Sequence, residues 1–383
     1  MTFCIEILFW GALFAVWYVY VGYPLAVLVL GFFQKREIRQ GPFEPLVTVL
    51  IPAYNEETGI AATIRNKLAL DYPRDRLEII VISDGSTDRT DEIALGFQEN
   101  GVRLLRQQPR AGKTSALNMA VGQARGDILV FSDANSMYAP DALRKLMRNF
   151  SDPEVGYVTG KMIYVNPDGT PVGDGCTAYM KYENFLRRLE TGVGSIVGVD
   201  GGIDAARKKL YRPMNADQLP DFVLPLNVID QGYRVVYEPE ALLNEETLKT
   251  AGDEYRMRVR VALRSLWALW DMRRLLLHPR SRMFAFQLWS HKALRYLGFL
   301  FLLVAFPANI VLWSSGGIYP WLLILQITGY LAAAAEPLLE RRHLRFRLVH
   351  LAHYFFLLNL ASAHAFIKFI MGQKQVLWTP RKG

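Results

Sequence analysis

Hydrophobic and polar positions divide the 383-residue chain into membrane-like ends and a patterned middle. From Ile7 to Phe33 no residue is formally charged, and the run exceeds the roughly 20 apolar residues that a helix needs to cross a bilayer. A second uncharged stretch, Tyr296 to Ala335, is split at "SSGGIYP" (314–320) and predicts two helices joined by a tight turn. A third run, Leu348 to Ile367, is just long enough to span. Between Pro42 and about Thr250 the period changes. "VTVLIP" (47–52), "LEIIVIS" (77–83) and "DILVFS" (127–132) are short β-rich runs. Helical stretches such as "EETGIAATIRNKLAL" (56–70) and "KTSALNMAVGQA" (113–124) separate them, which predicts an α/β domain of βαβ units on a largely parallel sheet. No internal repeat or low-complexity segment interrupts this order.

Charge orients the pattern. Lys35, Arg36 and Arg39 follow the first run directly, so the amino terminus is expected outside and residue 40 onward in the cytosol. Only Glu6 precedes the run, which is too long for a secretory signal and reads as an uncleaved anchor. One plus three spans would leave the carboxyl end outside, whereas Lys374, Arg381 and Lys382 argue for inside; the conflict points to one interfacial or re-entrant segment. The expected division is an anchor over 1–40, a cytosolic domain over 41–250, amphipathic interface helices over 251–290, and transmembrane helices with a tail over 291–383. Within the third part, Asp253 to Leu277 mixes apolar residues with a basic face, as a helix lying on the cytosolic membrane surface does.

Composition agrees: 51% hydrophobic and 12% aromatic residues suit a partly membrane-bound chain. Much of the net charge of +8 sits beside the hydrophobic runs, pointing to anionic lipid headgroups and not to nucleic acid. Cys4 and Cys176 make no disulfide framework and fit a reducing compartment for the middle of the chain. His350, His353 and His364 share a late segment, but none has zinc spacing with a cysteine.

Ligands of parallel sheets bind at the carboxyl ends of strands, which here read "AYNEE" (53–57), "DGSTD" (84–88) and "DANS" (133–136). Asp84 can accept hydrogen bonds from a base or ribose, and Asp88 suits a helix cap. Asp133 can bind a divalent cation that bridges phosphate oxygens, with Asn135 adding a carbonyl oxygen. Gly112-Lys113-Thr114 matches the end of an ATPase phosphate loop, yet Gln107 stands where that loop needs glycine and Pro109 removes an N–H. Lys113 therefore needs another task. Residues 197–211, "VGVDGGIDAARKKLY", are expected to join a Gly-rich loop to a helix, and Asp221 follows Pro220 at a helix start.

Taken together, "VTVLIPAYNEE" (47–57) and "VISDGSTD" (81–88) resemble the family 2 inverting glycosyltransferases with a GT-A fold, particularly the membrane-integrated branch of cellulose, chitin and hyaluronan synthases. The resemblance covers roughly residues 44–270. It implies that Pro52, Ala53, Tyr54, Glu56 and Asp84 line the nucleoside pocket and that Asp133 begins the D-x-D metal motif for Mg2+ or Mn2+. Asn135, where many relatives have Asp, removes one charge from the metal shell. Asp221 would be the general base, with Pro220 in place of a preceding acid, and Asp200 and Arg207 would lie on the acceptor side. Arg260 would be the arginine of the Q/R-x-x-R-W motif, with Met257 for Gln and Val261 for Trp. Lys113, Leu117 and Asn118 fit the family's Lys-x-x-x-Leu-Asn pattern, putting Lys113 and Arg260 on the donor diphosphate.

The expected activity is transfer from a nucleotide sugar, UDP-linked, to a growing β-linked polysaccharide or lipid-linked glycan at the inner cell membrane, with accessory export subunits compatible with that branch. The missing Trp keeps single addition to a lipid carrier open, and a non-catalytic nucleotide-sugar-binding subunit is the more distant alternative. A nucleotidyltransferase would show a Gly-rich phosphate loop near its first strand, which "PAYNEE" is not.

Overall fold

The computed structural model describes residues 2–165, 171–246, 250–277, 282–341, 344 and 346–377. Among them a single mixed sheet is built from β1 Val47–Ala53, β2 Leu77–Asp84, β3 Val102–Gln107, β4 Ile128–Phe131, β5 Met137–Tyr138, β6 Val155–Val165, β7 Asp204–Arg207 and β8 Arg234–Glu246. The spatial order is β3-β2-β1-β4-β7-β6-β8-β5. Strands β2 and β4 flank β1, both parallel to it, with Val47 opposite Leu77 on one side and Ile128 on the other. Every residue of β1 is buried, the continuous apolar reading of a parallel strand covered on both faces. Leu50 faces one core with Ile80, Ile82, Leu117 and Phe131, while Val49 and Ile51 face the other with Ile64, Val81 and Leu143. The chain runs outward from β1 to β2 and β3, then returns to β4 on the opposite side. That reversal opens a crevice at the carboxyl ends of β1 and β4.

The second half of the sheet departs from the expected pattern. "DAAR" (204–207) forms β7, antiparallel to both β4 and β6, and only a short 3-10 turn, Lys208–Leu210, follows it. No helix begins there, contrary to the reading of 197–211. Ala205 and Ala206 are fully buried between neighbouring strands, so sheet pairing overrides the helix preference of Ala, Arg and Lys.

The helices are α1 Thr2–Trp17, α2 Tyr23–Phe33, α3 Ile60–Leu68, α4 Thr90–Leu95, α5 Lys113–Val121, α6 Ala142–Met147, α7 Pro171–Val193, α8 Pro220–Asp230, α9 Ala251–Asp271, α10 Arg282–Gln287, α11 Leu294–Tyr296, α12 Gly298–Leu312, α13 Tyr319–Arg341 and α14 Arg347–Ile370. Three segments among the described residues are long and apolar enough to cross a membrane: Thr2–Phe33, Gly298–Ser315 and Tyr319–Leu339. Phe9 and Ala12 of α1 pack on Ala305, Ala308 and Leu312 of α12, where small residues allow close helix approach. The second half of the anchor turns to the sheet-bearing domain, with Tyr23 and Val27 against Leu186 and Val193 of α7.

Helix α14 is not among the three apolar segments, although Leu348 to Ile367 reads as a span. Its first half lies along α13, with His350 Nδ1 3.2 Å from Glu336 Oε1 and Phe356 beside Tyr330. Its second half packs Ala361 and Ala365 on Val259 and Leu263 of α9. The chain then reaches the sheet-bearing domain: Trp267 Nε1 donates to Gln373 O at 2.8 Å, and Lys374 pairs with Asp217 at 2.5 Å. Arg381 and Lys382 lie outside the described residues.

Candidate active site

Donor-side chemistry begins with the loop that leads into α5. Asp84, buried at the end of β2, accepts from Ala111 N at 2.8 Å, Gly112 N at 3.0 Å and Gln107 Nε2 at 2.5 Å. Its carboxylate is thereby committed to shaping residues 107–112, and Gly112 takes φ +96° as the turn enters the helix. The Arg110 guanidinium stacks 3.4 Å from the Tyr54 ring centre. Ala53, Tyr54 and Asp84 thus back the crevice, whereas Pro52 and Glu56 line it.

Lys113 opens α5 and reaches into the crevice. Its Nζ lies 2.6 Å from Asp133 Oδ1 and 3.7 Å from Asp221 Oδ1. Burial depresses its proton affinity, but the charges of Asp133 and Asp221 outweigh that and hold the ammonium above the ordinary lysine range. Asp133 starts a turn closed by Ser136 N donating to Asp133 O at 3.2 Å, and Asn135 lies within that turn. Asp221 sits in the first turn of α8, where Pro220 occupies the helix start without sacrificing an intrahelical hydrogen bond. The Asp221 carboxylate rests on Gly201, which has φ +83°; a Cβ there would lie 2.5 Å from Asp221 Cγ. A residue with a side chain would push Asp221 aside.

Of the arginines of α9, Arg258, Arg260 and Arg264 line the cavity, whereas Arg256 is exposed and pairs with Asp253. Arg260 lines the crevice and has no hydrogen bond or ion pair among the described residues; burial lowers its pKa, partly offset by Asp133 and Asp221. Arg264 donates to the carbonyls of Asp217 and Gln218 and to Thr114 Oγ1, tying α9 to the loop before Asp221 and to α5. Arg258 pairs with Glu254 at 2.8 Å. Of the two acceptor-side candidates, Asp200 lines the crevice but is paired with Arg187 at 2.6 Å. Arg207 lies apart from it. Its guanidinium binds the carbonyls of Phe150, Asp152 and Val155 at the far end of β7, roughly 10 Å of extended strand from Asp204. Asp204, Gly201 and Lys67 escaped sequence reading. The only signal for the first two was the "DGGID" turn.

Lys113, Asp133, Asn135, Asp200, Asp221 and Arg260 line one cavity of about 780 Å³, which continues to Tyr20 of the anchor, Tyr296, and Leu358, Asn359 and Ser362 of α14. A basic helix start, a carboxylate pair and an unpaired arginine suit a diphosphate leaving group beside a proton acceptor. Among the described residues no three His, Cys, Asp or Glu side chains cluster to hold an ion unaided. Asp133 and Asn135 supply one carboxylate and one amide oxygen, a set that fits a Mg2+-class ion completing its shell with phosphate oxygens and water.

Residues 48–196 match the model of the family described as Glycosyl transferase family 2. The chain carries a family 2 glycosyltransferase domain. The chain is 30% identical over 222 residues to the poly-beta-1,6-N-acetyl-D-glucosamine synthase of Staphylococcus aureus (strain COL), covering 56% of this chain and 53% of that protein. It is 31% identical over 233 residues to a Bacillus subtilis (strain 168) protein named probable glycosyltransferase YdaM, covering 57% and 54%. The chain spans about half the length of the curated relatives it matches. The mannosyltransferase PcManGT from Pyrobaculum calidifontis, solved in complex with GDP-Man and Mn2+, superposes with a TM-score of 0.76 over 96% of this chain and 99% of that one, at 23% identity. The sheet-bearing domain therefore has the GT-A glycosyltransferase fold, and the likeness extends to the flanking helices.

Proposed function

We propose that the protein is a multi-pass glycosyltransferase of the inner cell membrane whose cytosolic domain transfers a sugar, with inversion, from a nucleoside diphosphate sugar to a membrane-delivered acceptor hydroxyl. The observation that carries this reading is the convergence of Lys113, Asp133 and Asp221 within one cavity that runs on to the anchor and α14. Asp221 takes the proton as the acceptor oxygen attacks the anomeric carbon. The bond from that carbon to the diphosphate breaks on the opposite face, and the diphosphate leaves with the electron pair. Lys113, Arg260 and the amino end of α5 meet the charge that develops there. Asp133 and Asn135 would hold Mg2+ or Mn2+, which when bound neutralises phosphate charge.

A UDP-sugar is the proposed donor, and a growing β-linked polysaccharide or lipid-linked glycan the acceptor. Single addition to a lipid carrier is the second reading, favoured by Val261 beside Arg260 where polymerising relatives carry Trp. Membranes supplied with a panel of radiolabelled nucleotide sugars should give product with one donor, and product length separates the two readings. Asp221→Asn should lower turnover by about a thousandfold while nucleotide binding persists. Full turnover in that variant would remove Asp221 as the base.

A further inference from the structure

The turn that presents Asp133 and Asn135 is gripped from one side by α3. Thr63 Oγ1 donates to Ala134 O at 2.5 Å. Asn66 makes a two-way pair with the backbone of Tyr138, its Nδ2 donating to the carbonyl at 2.9 Å and its Oδ1 accepting from the N–H at 2.9 Å. Lys67 Nζ donates to Ser136 O at 2.6 Å and to Asn66 Oδ1 at 3.0 Å, and lies 3.6 Å from the centre of the Tyr138 ring. The carbonyls of Ala134, Ser136 and Tyr138 are thus all tied to one helix.

Lys67 is the unexpected member. It is fully buried, and among the described residues no carboxylate lies within ion-pair distance of it. Burying an ammonium with only the more distant Asp133 as counter-charge is costly, and a methionine would fill nearly the same volume at no such cost. The fold alone does not require a cation there. The turn does gain from it: two carbonyls and an aromatic face hold the ammonium, and through Ser136 O it fixes the peptide that follows Asn135. Outer groups that orient metal ligands in this way commonly govern affinity for the ion.

We propose that Lys67 is a positioning residue for the diphosphate and cation site, acting through Ser136 to hold Asp133 and Asn135 toward the cavity. The inference rests on the donor-site reading above, and its test separates the two. The full-length protein in detergent, as wild type and as Lys67→Met, is titrated calorimetrically with UDP and GDP, with and without Mn2+, and its thermal unfolding is recorded. Wild type should bind one of these nucleotides more tightly with Mn2+ present. Lys67→Met should unfold at the same temperature or higher, bind that nucleotide without metal as wild type does, and need about tenfold more Mn2+ for the enhancement. If wild type shows no Mn2+ enhancement with either nucleotide, the donor-site reading fails and takes this inference with it. If wild type shows it and Lys67→Met matches wild type, Lys67 alone loses its role. An equal loss of metal-free and Mn2+-dependent binding together with a lower unfolding temperature would mark Lys67 as merely structural.

Discussion

Asp204 opens β7 almost fully buried, with Gly201 N donating to its Oδ2 at 2.9 Å and its Oδ1 lacking a hydrogen bond among the described residues. Burial, with the charges of Asp221 and Asp200 added, pushes its pKa up to about 7, against the opposing pull of the nearby Thr159 and Tyr157 hydroxyls. In the unfolded chain an aspartate titrates near 4. Between those values the folded protein keeps a proton that the unfolded chain has released, so stability falls as pH rises through the window, by a few kcal/mol in all. Thermal unfolding should thus occur at a lower temperature at pH 7.5 than at pH 5.5, and Asp204→Asn should flatten that difference. An unchanged slope in the variant would show that Asp204 does not carry it. Lys113, Asp133, Asp221 and Arg260 were legible in the sequence because each stands at a fixed offset from a strand end or within a helix. Asp204 and Lys67 were not, because their character comes from burial by residues distant in sequence.

At the scale of elements, β1, β2 and β4 were legible because buried parallel strands leave unbroken apolar runs with polar loops after them. Strand β7 was hidden, since four residues of mixed type become a strand only when β4 and β6 pair with them. Helix α9 was legible as amphipathic; α14 covers its apolar side, and Arg258, Arg260 and Arg264 face the cavity. Arg264 makes α9 more than a lid. One guanidinium reaches two carbonyls before Asp221 and the Thr114 hydroxyl, so it sets α8 and α5 relative to each other. A lysine carries the charge but not the fork. Arg264→Lys should fold normally and lose about tenfold in kcat/KM, the size of one hydrogen bond from a charged group. Equal kcat/KM in the two proteins would show that the charge alone suffices.

For the whole molecule, packing bears on the count of crossings that charge and hydropathy left in conflict. Trp10 Nε1 donates to Tyr319 OH at 3.3 Å, and Phe9 stacks edge-on against the same ring. The early anchor and the 313–318 turn therefore share one end of the helical part. At the other end, Gln373 and Lys374 contact Trp267 and Asp217, and a Cβ on Gly112 would lie 3.1 Å from Val376 O. We infer that the anchor, α12 and α13 each cross once, which would put the amino terminus and the 313–318 turn outside and keep the segment after α14 with the sheet-bearing domain. Helix α14 leaves α13 and returns to α9 on the same side, as an oblique interfacial helix does. Cysteine labelling with an impermeant reagent tests the arrangement. Cys4 is exposed and would report by itself, so it is first changed to Ser, while the buried Cys176 can remain. Ser315→Cys should then label in intact cells. Lys374→Cys, at a half-exposed position, should label only once the membrane is opened. Labelling of Lys374→Cys in intact cells would make α14 a fourth crossing and would separate residues 373–377 from the domain they contact.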